Sequence, residues 1–284
     1  MSIARSGGFI LRKNREVPYY SCLALENISW LRHGFSTRTD GSGGTLNLNP
    51  AGMDTPERIN DNYSRLLSAI GLENAAFVSL NQIHSNLVYV VESTAYLPRM
   101  FNLFQPEEIV RTRQAETGDA LVTNIENTAL TIKTADCFPI LIADPVHRAV
   151  GAVHSGWRGT LAGVLPRAID EMSRRFQSDP ARLLFAIGPA IRECCFEVGE
   201  EVARLFSKTY PEAATARPHP TAPGKYLVNL AAVLKIQMTQ SGARPENQHD
   251  LEMCTCCNTR EFFSWRAQGA AAGRMLSVIA VSYC

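Results

Sequence analysis

Apolar residues along the chain fall into two rhythms. Short runs rich in Val, Ile and Leu, bounded by Gly, Pro, Asn or Asp, predict strands over Ala76–Leu80, Leu87–Val91, Thr128–Lys133 and Ile140–Ala143. The same signal recurs over Ala149–Val153, Leu183–Ile187, Leu227–Leu230 and Leu276–Val281. A longer, 3.6-residue rhythm marks helices. Thr55-Pro56-Glu57 supplies a cap, a first-turn proline and an acid near the positive helix end. Ile59, Tyr63, Leu66, Leu67 and Ile70 then share one face, and Gly71 ends the helix. A second helix should follow Gly159 with Leu161, Val164, Leu165, Ala168, Ile169, Met172 and Phe176 inward, and Pro166 predicts a kink or a late start. Val198–Ser207 and Ala231–Gln240 complete the helical signals.

Strands follow one another directly more often than a doubly wound sheet allows. The pattern therefore predicts an α/β or α+β fold, a single-domain layered sandwich of mixed β-sheets flanked by helices. No repeat or low-complexity linker divides residues 1–284, so one domain is expected, with 1–30 an N-terminal extension carrying the first strands. Asp40–Gly44 and Arg217–Gly224 read as Gly-rich and Pro-rich loops, and Pro98–Gly118 as a polar insert.

Composition narrows the function. Of 284 residues 45% are hydrophobic and 19% charged, enough for a sizeable core. Lys+Arg is 28 against Asp+Glu 27, so no positive field recommends a nucleic acid. No apolar run approaches the roughly 18 residues of a membrane span, and the basic N-terminus carries too short an apolar run for a secretory signal. The eight cysteines, at 22, 137, 194, 195, 254, 256, 257 and 284, make an unlikely disulfide framework and point to a reducing cytoplasm.

Three polar segments interrupt the strand runs: Asn81-Gln82-Ile83-His84-Ser85, Thr134-Ala135-Asp136-Cys137-Phe138-Pro139 and His154-Ser155-Gly156-Trp157-Arg158-Gly159. His84, Cys137 and His154 form a ligand set that Zn²⁺ accepts, with a fourth position open for water or substrate. The same residues also suit a thiolate nucleophile, Cys137, with His84 or His154 as base. Chelators separate the two readings. Cys254-Thr255-Cys256-Cys257 resembles half a zinc knuckle, but Cys194-Cys195 are adjacent rather than spaced, so rim thiols are the simpler expectation. Arg158, beside Trp157 between two glycines, suits an anion or a plain surface stack. Arg38, the glycine loop and Asn47 read as an anion or ribose cradle.

Together these segments resemble a known family, the laccase-like multicopper polyphenol oxidoreductases, better described as purine nucleoside phosphorylases. The resemblance rests on HGFSTRTDG at His33–Gly41, TLNLN at Thr45–Asn49, NQIHSNLV at Asn81–Val88, GDALVT at Gly118–Thr123 and TADCFPILIADP at Thr134–Pro145. It continues through GAVHSGWRGT at Gly151–Thr160, IGPAI, FEVGEEV, CT, FFSWR and GR in family order to Arg274. The resemblance implies a zinc site of His84, Cys137 and His154. It also implies catalytic roles for Asp136, Cys137 and Arg158, and substrate contacts from Arg38, Asn47, Gln82 and Arg158. Ser155 and Trp265 depart from the usual pattern.

The implied activities are phosphorolysis of adenosine, inosine, guanosine and methylthioadenosine, and deamination of adenosine. The implied partners are purine nucleosides and phosphate, for a monomer or small homo-oligomer away from nucleic acid and membranes. A copper-binding polyphenol oxidase is the first alternative, since imidazole and thiolate suit copper too. Full multicopper chemistry needs several H-x-H pairs, and none of the six histidines here are two apart. An editing hydrolase for peptidoglycan precursors is the second alternative.

Overall fold

The computed structural model describes residues 3–4, 6–14, 17–49, 54–92, 116–213 and 215–282. In chain order the strands are β1 (Ile3–Ala4), β2 (Phe9–Asn14), β3 (Val17–Cys22), β4 (Leu31–Ser36), β5 (Ala76–Ser79), β6 (Val88–Val91), β7 (Ala120–Thr123) and β8 (Thr128–Thr134). They continue as β9 (Phe138–Asp144), β10 (Ala149–Ser155), β11 (Leu184–Ile187), β12 (Glu197–Gly199), β13 (Ala216–Pro218), β14 (Lys225–Val228), β15 (Gln248–Asp250) and β16 (Met275–Val281). The α-helices are α1 (Leu23–Glu26), α2 (Pro56–Ile70), α3 (Trp157–Leu161), α4 (Val164–Phe176), α5 (Glu200–Thr209), α6 (Leu230–Gln240) and α7 (Trp265–Gln268).

Two large mixed sheets, ordered β1-β2-β3-β4-β16-β8-β5 and β15-β11-β9-β10-β7-β6, pack face to face, and a small sheet, β12-β14-β13, stands beside them. Strand parity shows why. Along β16, Met275, Ile279 and Val281 enter the core between the sheets, while Leu276, Val278 and Ala280 turn to the core under α2. Along β9, Leu141 and Ala143 face the first sheet, while Phe138, Ile140 and Ile142 face α4 and α6. Both faces of these central strands are covered, so they read in sequence as unbroken apolar runs. Each fully buried Leu or Ile contributes roughly 1.5–3 kcal/mol, which fixes the layers as helix, sheet, sheet, helix.

Helix α2 forms as the sequence predicts. The Thr55 hydroxyl accepts from the Arg58 amide at 3.4 Å, Pro56 opens the first turn, and Gly71 closes it at φ 82. The segment after Gly159 splits instead of kinking. The chain breaks at Ala162–Gly163, and Pro166 lies in the first turn of α4, where a missing N–H costs no helical bond.

Three expectations shift. Residues 198–199 belong to β12, so α5 begins at Glu200. The strand expected over Leu227–Leu230 is β14, ending at Val228, because the Asn229 side chain accepts from the Ala232 amide at 3.0 Å and starts α6. Beyond the first strands expected within 1–30, β4 and β7 had no expected range although both lie inside their sheets: Arg32, His33 and Gly34 break the apolar run of β4, and β7 is only four residues long. Most of the expected insert over 98–118 lies outside the described residues.

Candidate metal centre

Register assembles the first two ligands. Strands β9 and β10 form an antiparallel pair in which His154 lies opposite Pro139, two residues past Cys137. Cys137 therefore stands at the mouth of the pair beside His154, which follows Val150 and Ala152 by parity towards the other sheet. His84 reaches them from the loop between β5 and β6. The Cys137 Sγ lies 3.7 Å from His84 Nε2, and the two imidazoles meet edge to face with centroids 4.8 Å apart. One ligand atom from each of the three residues lies within 4.8 Å of the others. His154 is buried, Cys137 half-buried and His84 exposed, so the set opens to solvent on the side of His84.

A carboxylate absent from the sequence reading organises this cluster. Asp119, fully buried just before β7, accepts from the His154 Nδ1 at 2.7 Å and from the amides of His84 at 3.0 Å and Ser85 at 2.5 Å. The Ser85 hydroxyl donates to it at 2.7 Å. One side chain thus fixes the loop of His84 and the tautomer of His154, leaving the His154 Nε2 free to face the thiol, as metal-binding histidines require. Burial opposes its ionisation, but these donors prevail and pull the Asp119 carboxyl down to about 2. Its sequence signal was the GDALVT stretch, where an acid precedes a wholly buried strand.

The charges of the ligands are coupled. Burial alone would raise the Cys137 thiol, yet His154 and His84 draw it down to about 6. Burial would likewise lower the His154 imidazole, but the Cys137 thiolate and Asp119 lift it to about 9. The site thus favours a thiolate beside a positive charge, the arrangement that a divalent cation replaces.

Backbone conformation is unusual at the same places. His84 has φ 61 and Asp136 φ 91, left-handed values that cost a non-glycine residue free energy. Asp136 is held there from three sides. The Thr255 hydroxyl donates to its Oδ1 at 2.6 Å, the Arg266 amide to its Oδ2 at 2.6 Å, and the Ile191 amide to its carbonyl at 2.8 Å. Gly156 leaves room for the ligands. A Cβ there would come within 2.7 Å of His84 Cδ2 and 3.0 Å of Cys137 Sγ. Two imidazoles and a thiolate whose ligand atoms lie within 4.8 Å of one another fit a metal ion such as zinc.

The remaining expected site residues divide. Both groups of the Gln82 amide are engaged by the Lys133 backbone, at 2.8 and 2.9 Å, as if extending the strand. Asn47 accepts from the Arg274 amide at 2.9 Å and donates to Asp54 at 2.7 Å. Arg38 stacks on Phe263, with its guanidinium carbon 4.7 Å from the ring centroid, and donates to the Thr259 carbonyl. Arg158 is exposed, over Trp157 at 4.2 Å. Arg274, another residue unread in sequence beyond the GR pair, is partly buried and close enough to Cys137 and Asp136 for their negative charges to act on it.

Known proteins resemble this chain in sequence and fold. Purine nucleoside phosphorylase of Bacteroides thetaiotaomicron is 31% identical over 96% of this chain and 98% of its own. Adenosine deaminase RL5, from an unknown prokaryotic organism, is 29% identical over 81% of this chain and 87% of its own. The chain matches Purine nucleoside phosphorylase LACC1 of Mus musculus at 28% identity over 88% of its residues, but spans only 55% of that protein's length. The crystal structure of YlmD from Geobacillus stearothermophilus superposes with a TM-score of 0.80 at 26% identity, covering 96% of this chain and 99% of that one. A family model matches residues 32–282, nearly the whole sandwich, and by that match the chain belongs to the multi-copper polyphenol oxidoreductase laccase family.

Proposed function

We propose that this chain is a zinc-dependent purine nucleoside phosphorylase that also deaminates adenosine. The observation that carries the reading is the convergence of His84, Cys137 and His154 with Asp119 behind His154. Relatives named for purine nucleoside phosphorolysis and adenosine deamination support it. A zinc ion held by the triad would act as a Lewis acid and lower the pKa of water near it.

The chain's own residues do the rest. Asp119 keeps the proton of His154 on Nδ1, so that its Nε2 stays a ligand. Asp136 keeps the Cys137 loop in its left-handed turn, a positioning role for a residue expected to be catalytic. In phosphorolysis a phosphate oxygen forms a bond to the anomeric carbon while the bond to the purine nitrogen breaks, and the base departs with the electron pair. We assign the phosphate to Arg158 and Arg38, whose planar guanidinium groups suit it. Asn47 holds the loop following Arg38, and Gln82 shapes the approach to His84 through Lys133. No helix among the described residues is long and apolar enough to cross a membrane, in keeping with small dissolved substrates.

The test is purine release from adenosine and inosine with and without phosphate, in wild type, His84→Ala and Cys137→Ser. Phosphate-dependent release lost in both variants supports the reading, and ammonia release without phosphate supports deamination. Wild-type protein that retains its full rate after complete metal removal overturns it. Oxygen uptake with a phenol would instead favour the copper-based reading, and cleavage of a muropeptide precursor the hydrolase.

A further inference from the structure

Seven cysteines are described, all free, and four of them converge far along the chain from the triad. Cys194 and Cys195 lie in the turn after β11, and Cys254 and Cys257 in the turn after β15. The Sγ atoms of all four lie within 4.8 Å of one another, with Cys194–Cys257 at 3.5 Å and Cys195–Cys257 at 3.3 Å. A disulfide would need about 2.05 Å. Four thiolates around a tetrahedral zinc at about 2.3 Å stand about 3.8 Å apart, within the range seen here.

The backbone prepares this cluster. Strands β11 and β15 run parallel, and the two turns beyond them continue side by side. The Ala190 amide donates to the Met253 carbonyl at 3.3 Å and the Thr255 amide to the Ala190 carbonyl at 3.1 Å. The Arg192 amide donates to Cys254 Sγ at 3.4 Å, a bond that suits a thiolate. Two guanidinium groups flank the turns: Arg192 pairs with Asp250, and Arg266 donates to the Cys195 carbonyl at 2.7 Å. Cys256, between the ligands in sequence, packs on the hydrophobic core, as Cys195 also does, but is not one of the four converging thiols.

We propose that Cys194, Cys195, Cys254 and Cys257 bind a structural zinc ion, closed by four thiolates. Cys254 and Cys257 have the C-x₂-C spacing of such sites, and the fold supplies the other pair from 60 residues away. The ion ties together the two turns that bear on Asp136. Thr255, next to Cys254, donates to its carboxylate, and Ile191, three residues before Cys194, donates to its carbonyl. The site is independent of which reaction the triad performs.

Zinc per chain, measured by mass spectrometry on protein purified in reducing buffer, provides the test. Wild type should hold ~2 ions, and Cys257→Ser and Cys137→Ser ~1 each, the former lacking the closed tetrahedral site and the latter the open one. Cobalt(II) added to stripped protein should give a strong thiolate charge-transfer band in Cys137→Ser and a weak one in Cys257→Ser. Alkylation of wild type covers the case of a variant that fails to fold: zinc should protect these four thiols, and a chelator should expose them. A wild type with a single ion lost in Cys137→Ser, an equal cobalt band in both variants, unprotected thiols, or iron in place of zinc would overturn the proposal.

Discussion

Asp119→Asn tests the organisation of the triad most sharply. Five donors converge on the carboxylate, namely the amides of Ile83, His84 and Ser85, the Ser85 hydroxyl and the His154 ring. An asparagine offers one oxygen, and its amide nitrogen must face N–H groups with an N–H. If that nitrogen turns to His154, the ring must accept on Nδ1, and its proton moves to the Nε2 that should bind metal. If it turns to Ser85, backbone amides are orphaned at about 1–3 kcal/mol each. With the charged pair to His154 also lost, destabilisation should reach about 3–5 kcal/mol, or roughly 6–15 °C in Tm. Zinc affinity should fall about 10–100-fold.

The pH dependence of stability gives an independent reading of the same change. The native carboxyl lies below its ordinary value, at about 2 against 3.8, so its stabilisation is present above pH 3.8 and lost as pH falls towards 2. That difference corresponds to about 2 kcal/mol, which the variant should lack. Urea denaturation of metal-free protein from pH 7 to 2 measures the first effect. Competition with a chromophoric chelator in a Cys257→Ser background, which removes the thiol cluster from the titration, measures the second. An Asp119→Asn protein with the urea midpoint and zinc affinity of the parent would refute the assignment.

Gly156→Ala should keep the fold, since φ −79 suits alanine, but push His84 and Cys137 apart and weaken zinc binding at least about 10-fold in the same competition assay. Zinc entering the metal-free triad near pH 7.5 should release about one proton, from His154, because Cys137 is already thiolate there while His154 ionises near 9. Calorimetry in buffers of different ionisation enthalpy reads that proton, and the release should fade above about pH 10 as the imidazole loses it beforehand. Gln82→Ala removes both bonds to the Lys133 backbone and should lower stability by about 1–2 kcal/mol by urea denaturation. A large rise in KM at unchanged stability would instead place Gln82 on the substrate.

The central layers were legible along the chain because their physics is local. A strand covered on both faces, such as β9 or β16, is apolar at nearly every position, and α2 carries its cap, proline and closing glycine at its own ends. Other strands were less legible: β2 mixes Arg12 and Lys13 with half-buried positions, Arg32, His33 and Gly34 interrupt β4, and β7 is only four residues long. The triad was visible as three reactive loops whose donors suit zinc, but separations of 53 and then 17 positions match no local ligand motif, and the resemblance to a family, rather than the spacing, gave the set its weight.

By itself the amino-acid order determined most of the central strands, the long helices with their caps, and which residues have donor chemistry to offer. Tertiary structure decided which donors meet. Register between β9 and β10 put Cys137 beside His154, and Asp119 tied the His84 loop to His154, a task that the acid's place before a buried strand hints at but does not specify. Parallel pairing of β11 with β15 likewise turned an adjacent pair of thiols and a distant spaced pair into one cluster. The reason is physical: periodicity and capping act over a few residues, whereas a ligand set is defined by distances of a few ångströms between chain segments that only packing brings together.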